Sequence, residues 1–481
     1  MAMTTAILCP EQCRQARLSK DRRFDGRFFT GVHSTGIYCR PICPVRPPLE
    51  RNVRYYASAA LAEQAGLRPC LRCRPELAPS AGDWRARTPR LTRALQRLKQ
   101  QPQLTVAQLA ADCFVSERQL RRWFVEDLGV SPLQLQQTER LLQAKQLLTD
   151  SNMTITDVAL ACGFNSVRRF NDAFSQHYRM APRTFRQQTA PVAATTLQLR
   201  LPLRPPFAPQ YLLKFFAERA IAGVEQVTDG RYQRWLAPDQ WFSVEPQSEQ
   251  LLLQLQGIEA TALPRLRATI ERMWDCACDS EAVTQHLALQ PQLQALSQRY
   301  QGIRVASYFD EWETLLRAIL GQQITIAAGR QLLQQLVALH QAQGGFGIPT
   351  AEVVSQLDLT PMRMPHSRKA SLQLAAQTVA SWQPQDWLDL DRVQQQLLAL
   401  KGIGPWTVNY WRLRCGHDAD ALPLGDVILR KAAQQQQLAD NDKALAQVSQ
   451  QWRPWRSYAT TLLWQSMVKD DANDPIFTAL Q

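Results

Sequence analysis

The feature that most constrains this chain is a set of four cysteines. "TGIYCRPICPVRP" and "RPCLRCRPE" give Cys-x3-Cys and then Cys-x2-Cys, at Cys39, Cys43, Cys70 and Cys73. Four thiolates fit a tetrahedral Zn2+ site, and the short spacings let each pair chelate from one turn. On spacing alone, a purely structural zinc ribbon accounts for the pattern. The start of the chain, "MAMTTAILCPEQCRQ", lacks a basic segment followed by a long apolar run, so no signal peptide is expected. No stretch of about 18 apolar residues occurs, so no membrane span is expected either. A cytoplasmic location follows as an expectation, and there close cysteine pairs suggest metal before disulfides. Cys9 and Cys13 form a second Cys-x3-Cys among the eleven cysteines. Four-coordinate zinc is already complete without them, so they are predicted to lie outside the ligand set.

A chain of 481 residues exceeds one core, and two to four domains are expected. Its net charge of +13 is uneven: residues 1–190 hold 29 Lys+Arg against 15 Asp+Glu, the remainder 26 against 27. The first part therefore carries the attraction for a polyanion, mostly through Arg, which grips phosphate with two donors at once. "APSAGDWRARTP" (Ala78–Pro89) and "QQTAPVAATT" (Gln187–Thr196) have linker composition. They separate the cysteine module, a helical module and a long C-terminal region. That region opens with strand-like alternation in "TLQLRLPLRPPFAPQ", around Tyr232–Trp241 and in "EQLLLQLQG", and is helical from about Glu311.

"STGIYCRPIC", "LERNVRYYA" and "GLRPCLRCRPE" resemble the N-terminal methyl-acceptor domain of the Ada family of alkylation-response proteins. The resemblance implies that Cys39 takes a methyl group from a methylated DNA phosphotriester. It also places Thr35, Arg46 and Arg68 where contacts to DNA phosphate are expected. Zinc would hold the Cys39 sulfur as a thiolate at neutral pH. A four-thiolate site carries a net charge of about −2. Methylation removes one negative charge and should strengthen DNA binding.

"LTVAQLAADCFVSERQLRRWFVEDLGVSPLQ" has helix–turn–helix periodicity through Leu109, Leu120 and Phe124, with Ser116 as an N-cap. "ITDVALACGFNSVRRFNDAFSQHYRMAPRTFR" repeats the arrangement, with Gly163 ending one helix and Ser166 capping the next. The second helices present Arg118, Arg121 and Arg122 in one unit, Arg168 and Arg169 in the other. Two such units suit successive major grooves. Residues 90–188 resemble the AraC-type DNA-binding domain. The Pro-Cys-His-Arg nucleophile site of an alkylguanine methyltransferase, which often follows in Ada proteins, is absent.

In "LKGIGPWTVNYW", Gly402 and Gly404 allow a tight turn that exposes N–H groups at a helix start, a natural phosphate site. This loop resembles the helix-hairpin-helix of DNA glycosylases, and "LPLGDVILRK" puts Asp426 twenty residues after Trp406. With "LRAILGQQIT" and "WRPWRSYATTLLW", residues 197–470 resemble the AlkA family of 3-methyladenine DNA glycosylases. The resemblance implies a base pocket of Trp406, Tyr410 and Trp464, and it assigns Asp426 to stabilise the sugar cation or activate water. Cation–π stacking of a flipped, electron-poor base is worth about 0.5–2 kcal/mol. Asp426 equally suits the N-cap of "VILRK". A lysine at position 406 would attack C1′ and cut the strand. Trp406 cannot, so a monofunctional glycosylase is expected, Lys401 lying before the first glycine. By the same resemblance, Gln322 and Gln323 match the wedge position that fills the gap left by the flipped base. A polar wedge departs from the family's often apolar one.

The expected architecture is multidomain and mainly α, with a small zinc α+β module first and a small β-sheet subdomain opening a helical helix-hairpin-helix glycosylase. The expected divisions are 1–80 for the zinc module, 90–188 for the tandem helix-turn-helix, 197–300 for the sheet subdomain and 301–481 for the helical glycosylase. The expected partners are alkylated and promoter double-stranded DNA, with RNA polymerase implied by activation. The competing expectation is a DNA-binding regulator whose glycosylase-fold domain is inert.

Overall fold

The computed structural model describes residues 9–79, 89–187 and 196–468. The two linker segments expected at 78–89 and 187–196 lie largely outside the described residues. Contacts divide the chain into two compact units. One comprises 1–205, 249–271 and 276–278; the other comprises 206–248, 272–275 and 279–481. The chain is mostly helical, with small sheets in the cysteine region and ahead of the C-terminal helices. No helix among the described residues is long and apolar enough to cross a membrane.

The first unit opens with helix Pro10–Ser19. Cys9 caps it, its sulfur accepting from the Gln12 amide. Cys13 is buried. A four-stranded sheet follows in the order Val53–Tyr56, Phe29–Val32, Ile37–Cys39, Arg68–Pro69. The last pair is parallel, with Ile37 opposite Arg68 and Tyr38 opposite Pro69. That register brings the residues that follow, Cys39 and Cys70, to the same end of the sheet.

The tandem helical pairs are Val106–Asp112 with Glu117–Leu128, and Ile155–Ala161 with Val167–Tyr178. Ser116 and Ser166 cap the second helix of each pair by accepting the Gln119 and Arg169 amides. Gly163 follows the end of Ile155–Ala161 at φ +75°, and a Cβ there would strike the backbone of Pro102 and Gln103 at 2.7 Å. The long helix Pro132–Asp150 runs between the pairs and packs into the cysteine module. Its Leu142 joins the core of Phe29, Tyr38, Ala59, Ala62 and Leu67. Lys145, 1 % exposed, donates to Glu76 at 2.7 Å and to the Cys70 carbonyl at 3.2 Å. Glu63 accepts from the Tyr38 hydroxyl at 2.8 Å and from Thr138, and His177 Nε2 lies 3.3 Å from it. Strand Leu197–Pro202 pairs antiparallel with Gln250–Gln256. This pair belongs to the first unit, where Gln146 donates to the Arg200 carbonyl and accepts from Arg267.

In the second unit, Glu225–Thr228, Arg231–Ala237 and Gln240–Pro246 form an antiparallel meander. The helices from Glu311 onward enclose a core that includes Trp312, Leu316, Leu336, Leu372 and Trp411. Helix Glu311–Leu320 packs on Pro405–Arg414, and Val427–Gln435 packs on Arg456–Ser466. These two pairs frame the site.

Candidate active site and metal centre

The sulfurs of Cys39, Cys43, Cys70 and Cys73 all lie within 4.8 Å of one another. A tetrahedral zinc site with Zn–S of about 2.3 Å has sulfurs about 3.8 Å apart, so the four fit Zn2+ with a small contraction. Four thiolates complete a tetrahedral donor set, and no other group of three or more His, Cys, Asp or Glu suited to a metal occurs among the described residues. The protein thus carries a four-cysteine zinc site. Cys70 and Cys73 are buried, while Cys39 and Cys43 are half-buried and reachable. The Arg40 amide donates to Cys73 Sγ at 3.3 Å, and its guanidinium bonds the Cys73 carbonyl and the buried Asp25. Such outer contacts orient ligands.

Thr35 is exposed at the turn before Ile37–Cys39, its hydroxyl donating to the Val32 carbonyl. Arg46 is exposed and Arg68 half-buried, and neither forms an ion pair among the described residues. Arg121 and Arg122 are exposed on Glu117–Leu128 beside Glu117 and Glu126. Arg168 and Arg169 are exposed on Val167–Tyr178 without carboxylate partners among the described residues.

The second unit gathers Trp406, Tyr410, Trp464 and Asp426. Trp406 and Tyr410 lie one helical turn apart on Pro405–Arg414, so their rings share a face. They stack with centroids 5.3 Å apart at 25°. Trp464, from Arg456–Ser466, stands 6.1 Å from Tyr410. Asp426 caps Val427–Gln435, its Oδ1 accepting the Leu429 amide at 2.8 Å. The same Oδ1 accepts from Trp464 Nε1 at 3.0 Å, and Oδ2 accepts from Trp406 Nε1 at 3.1 Å. Both expected uses of Asp426, as cap and as carboxylate beside the aromatic set, are geometrically compatible. All four residues are half-buried.

The Tyr410 hydroxyl lies 3.2 Å from that of Tyr308. Burial pushes the Tyr410 phenol up, but the charges of Arg414 and Arg219 and the Tyr308 hydrogen bond outweigh it and hold it below its ordinary range. Burial and the neighbouring Tyr410 push Tyr308 the other way.

Gly402 adopts φ +87°, and a Cβ there would meet Ser371 Oγ at 2.0 Å, so glycine is required. Gly404 is the N-cap of Pro405–Arg414 at φ −104°, with open space where its Cβ would be. That leaves the helix start clear for an approaching anion. Gln322 is committed to this loop: its Nε2 donates to the Gly402 carbonyl at 2.9 Å and to Thr407 Oγ1 at 3.0 Å. Gln323 stands exposed at φ +57°, an uncommon backbone conformation for a residue with a side chain. The two neighbouring glutamines therefore hold different positions. Lys401 is exposed, ahead of the loop.

Sequence reasoning missed Arg40, Asp25, Lys145 and Arg414. Arg40 adjoins Cys39, which was a usable signal. The partners of the others come from distant parts of the chain.

A family model described as the metal binding domain of Ada matches residues 12–76. One described as a helix-turn-helix domain matches 109–188, and one described as the AlkA N-terminal domain matches 198–310. The chain is 35% identical over 478 residues to the probable bifunctional transcriptional activator/DNA repair enzyme AlkA of Mycobacterium tuberculosis, covering 95% of this chain and 96% of that one. It is 34% identical over 177 residues to the bifunctional transcriptional activator/DNA repair enzyme Ada of Escherichia coli, covering 37% of this chain and 47% of that protein. It is 27% identical over 277 residues to DNA-3-methyladenine glycosylase 2 of Escherichia coli, covering 54% of this chain and 94% of that protein.

Proposed function

Because the chain belongs to the family of bifunctional transcriptional activator/DNA repair enzymes AlkA, we propose that it repairs alkylated DNA and senses the same damage. The second unit hydrolyses the N-glycosidic bond of alkylated purines of the 3-methyladenine type. The observation that carries this reading is the Asp426 carboxylate held between two indole N–H groups at the edge of the Trp406–Tyr410–Trp464 set. A flipped cationic base stacks on the rings while the carboxylate faces the developing sugar cation. Gly402 and Gly404 hold the adjoining phosphate, and Gln323 is the better placed of the two glutamines to enter the duplex.

Trp406 offers no amine to C1′, so the glycosylase is monofunctional in the chemical sense: it leaves an abasic site and cuts no strand. "Bifunctional" in the relatives' names pairs activation with repair, which is a different distinction. Incubating the protein with 3-methyladenine DNA tests this directly. Free base should appear, with strand breaks only after alkali. No base release from folded, zinc-loaded protein would favour a regulator with an inert glycosylase fold.

In the first unit, Cys39 is the methyl acceptor. Its sulfur attacks the methyl carbon of a methylphosphotriester; the S–C bond forms, the C–O bond breaks and the phosphodiester leaves as an anion. Zinc supplies the thiolate state at neutral pH. The site loses one negative charge, which favours DNA, with Thr35, Arg46 and Arg68 on the phosphates. Arg121, Arg122, Arg168 and Arg169 then dock the tandem helices on promoter DNA in the cytoplasm, where RNA polymerase is recruited. Mass mapping after exposure to methylated DNA should place the label on Cys39; a label on Cys43 would reassign the acceptor.

A further inference from the structure

Arg414 ends the helix that carries Trp406 and Tyr410, and it is 5 % exposed. Its NH1 donates to the Ala306 carbonyl at 3.0 Å, and its Nε has no hydrogen-bond partner. Among the described residues no carboxylate pairs with it. Nearby arginines differ: Arg317 and the buried Arg234 share Glu225 and Glu313, and the half-buried Arg219 has Glu218. The Arg414 guanidinium instead packs on rings, 4.4 Å from the Phe215 centroid, 4.8 Å from Trp464 and 5.9 Å from Tyr410. Burying a cation without an anion is costly, and cation–π contacts offset only part of it. An apolar side chain would fill the same space at lower cost. The charge itself therefore has a use at this position, behind the aromatic wall.

Glycosidic cleavage moves charge in one direction. The C1′–N bond breaks and its electron pair goes to the base nitrogen. A cationic alkylated base leaves neutral, a neutral base leaves with negative charge, and in both cases the sugar becomes positive. Asp426 is the negative charge on the sugar side, and Arg414 is a fixed positive charge on the base side. We propose that Arg414 acts through the Trp464 and Tyr410 rings as an electrostatic positioning residue that weakens binding of cationic bases and drives electrons onto the base as the bond breaks. This rests on the glycosylase reading of the same site. A base stacked on the wall would lie about 8 Å from the guanidinium; at an effective dielectric of about 20, a unit charge there is worth roughly ten- to thirtyfold in an equilibrium or a rate. Interactions that differ between ground and transition state are the ones that raise turnover.

The test uses the full zinc-loaded chain, with DNA carrying 7-methylguanine (cationic) or hypoxanthine (neutral). Binding and single-turnover base release are measured separately for wild type, Arg414→Gln, Arg414→Met and Arg414→Lys. Both neutral variants should bind the 7-methylguanine duplex about tenfold tighter and release its base about tenfold more slowly. With hypoxanthine the release should slow similarly while affinity stays the same. Arg414→Lys should restore both properties. Equal changes in affinity for the two duplexes, or losses that Lys does not rescue, would mean a packing role and overturn the inference. Wild-type protein that releases neither of these bases nor 3-methyladenine would instead overturn the glycosylase reading beneath it.

Discussion

Replacing Asp426 with Asn turns one carboxylate oxygen into an NH2 group, and the geometry decides which. Oδ1 accepts from two donors, the Leu429 amide and Trp464 Nε1, whereas Oδ2 accepts from Trp406 Nε1. The amide therefore keeps its oxygen on the first side and turns its NH2 toward the Trp406 N–H at 3.1 Å. The helix cap survives, because Asn caps as well as Asp. A donor facing a donor in a half-buried place costs about 1–2 kcal/mol of stability. Loss of the anion opposite the sugar cation should slow base release by at least about 10²–10³. Trp406→Phe removes the opposing donor. The double variant Asp426→Asn/Trp406→Phe should then be less destabilised than the sum of the singles by about 1 kcal/mol, with base release still lost. Urea unfolding and single-turnover release with excess enzyme measure the two effects separately. An Asp426→Asn protein that releases base within threefold of wild type would remove the carboxylate from the chemistry. Strict additivity in stability would remove the hydrogen-bond argument.

Lys145→Met leaves Glu76 buried with Arg74 as its remaining cation, and should lower the stability of the first unit by about 3 kcal/mol in denaturant unfolding. Arg168→Ala and Arg169→Ala should each reduce the salt slope of duplex binding by about 1. Arg121→Ala should reduce it less, because Glu117 already partly neutralises that guanidinium. Burial pushes the Glu311 carboxyl up, but the His417 hydrogen bond and the Arg272 charge overcome this and hold it at about 2. Its folded value lies below the ordinary 4.5, so the stability it contributes is present above about pH 4.5 and is lost as pH falls toward 2. Acid unfolding of Glu311→Gln should have a shallower pH dependence across that window.

The parts written locally were legible in the sequence. The cysteine spacings announced a metal site because each pair closes on itself within a turn. Ser116, Ser166 and Asp426 announced helix starts because a cap bonds an amide three residues on. Trp406, Tyr410 and Trp464 were legible through the resemblance to the AlkA family, and the helix Pro405–Arg414 puts the first two on one face. What stayed hidden depends on chain segments that meet only in the fold. Gln322 and Gln323 are equivalent in sequence, yet one is fastened to the Gly402 loop and the other stands free of it, a split set by the backbone turn between them. Arg414 carried no signal in the sequence, since its rings come from Phe215 and Trp464 as well as its own helix. Lys145 showed nothing because its partner lies in the cysteine module.

That last contact reaches beyond stability. Leu142 sits in the core of the cysteine module, and Lys145 is bonded to Glu76 and to the carbonyl of the ligand Cys70. The sensing and DNA-reading parts of the first unit should therefore melt as one cooperative body. Oxidised or metal-stripped cysteines would not leave behind a surviving DNA-binding fragment that occupies promoters without information. The buried contacts tie the authority to bind to the integrity of the sensor, so a damaged sensor fails silent.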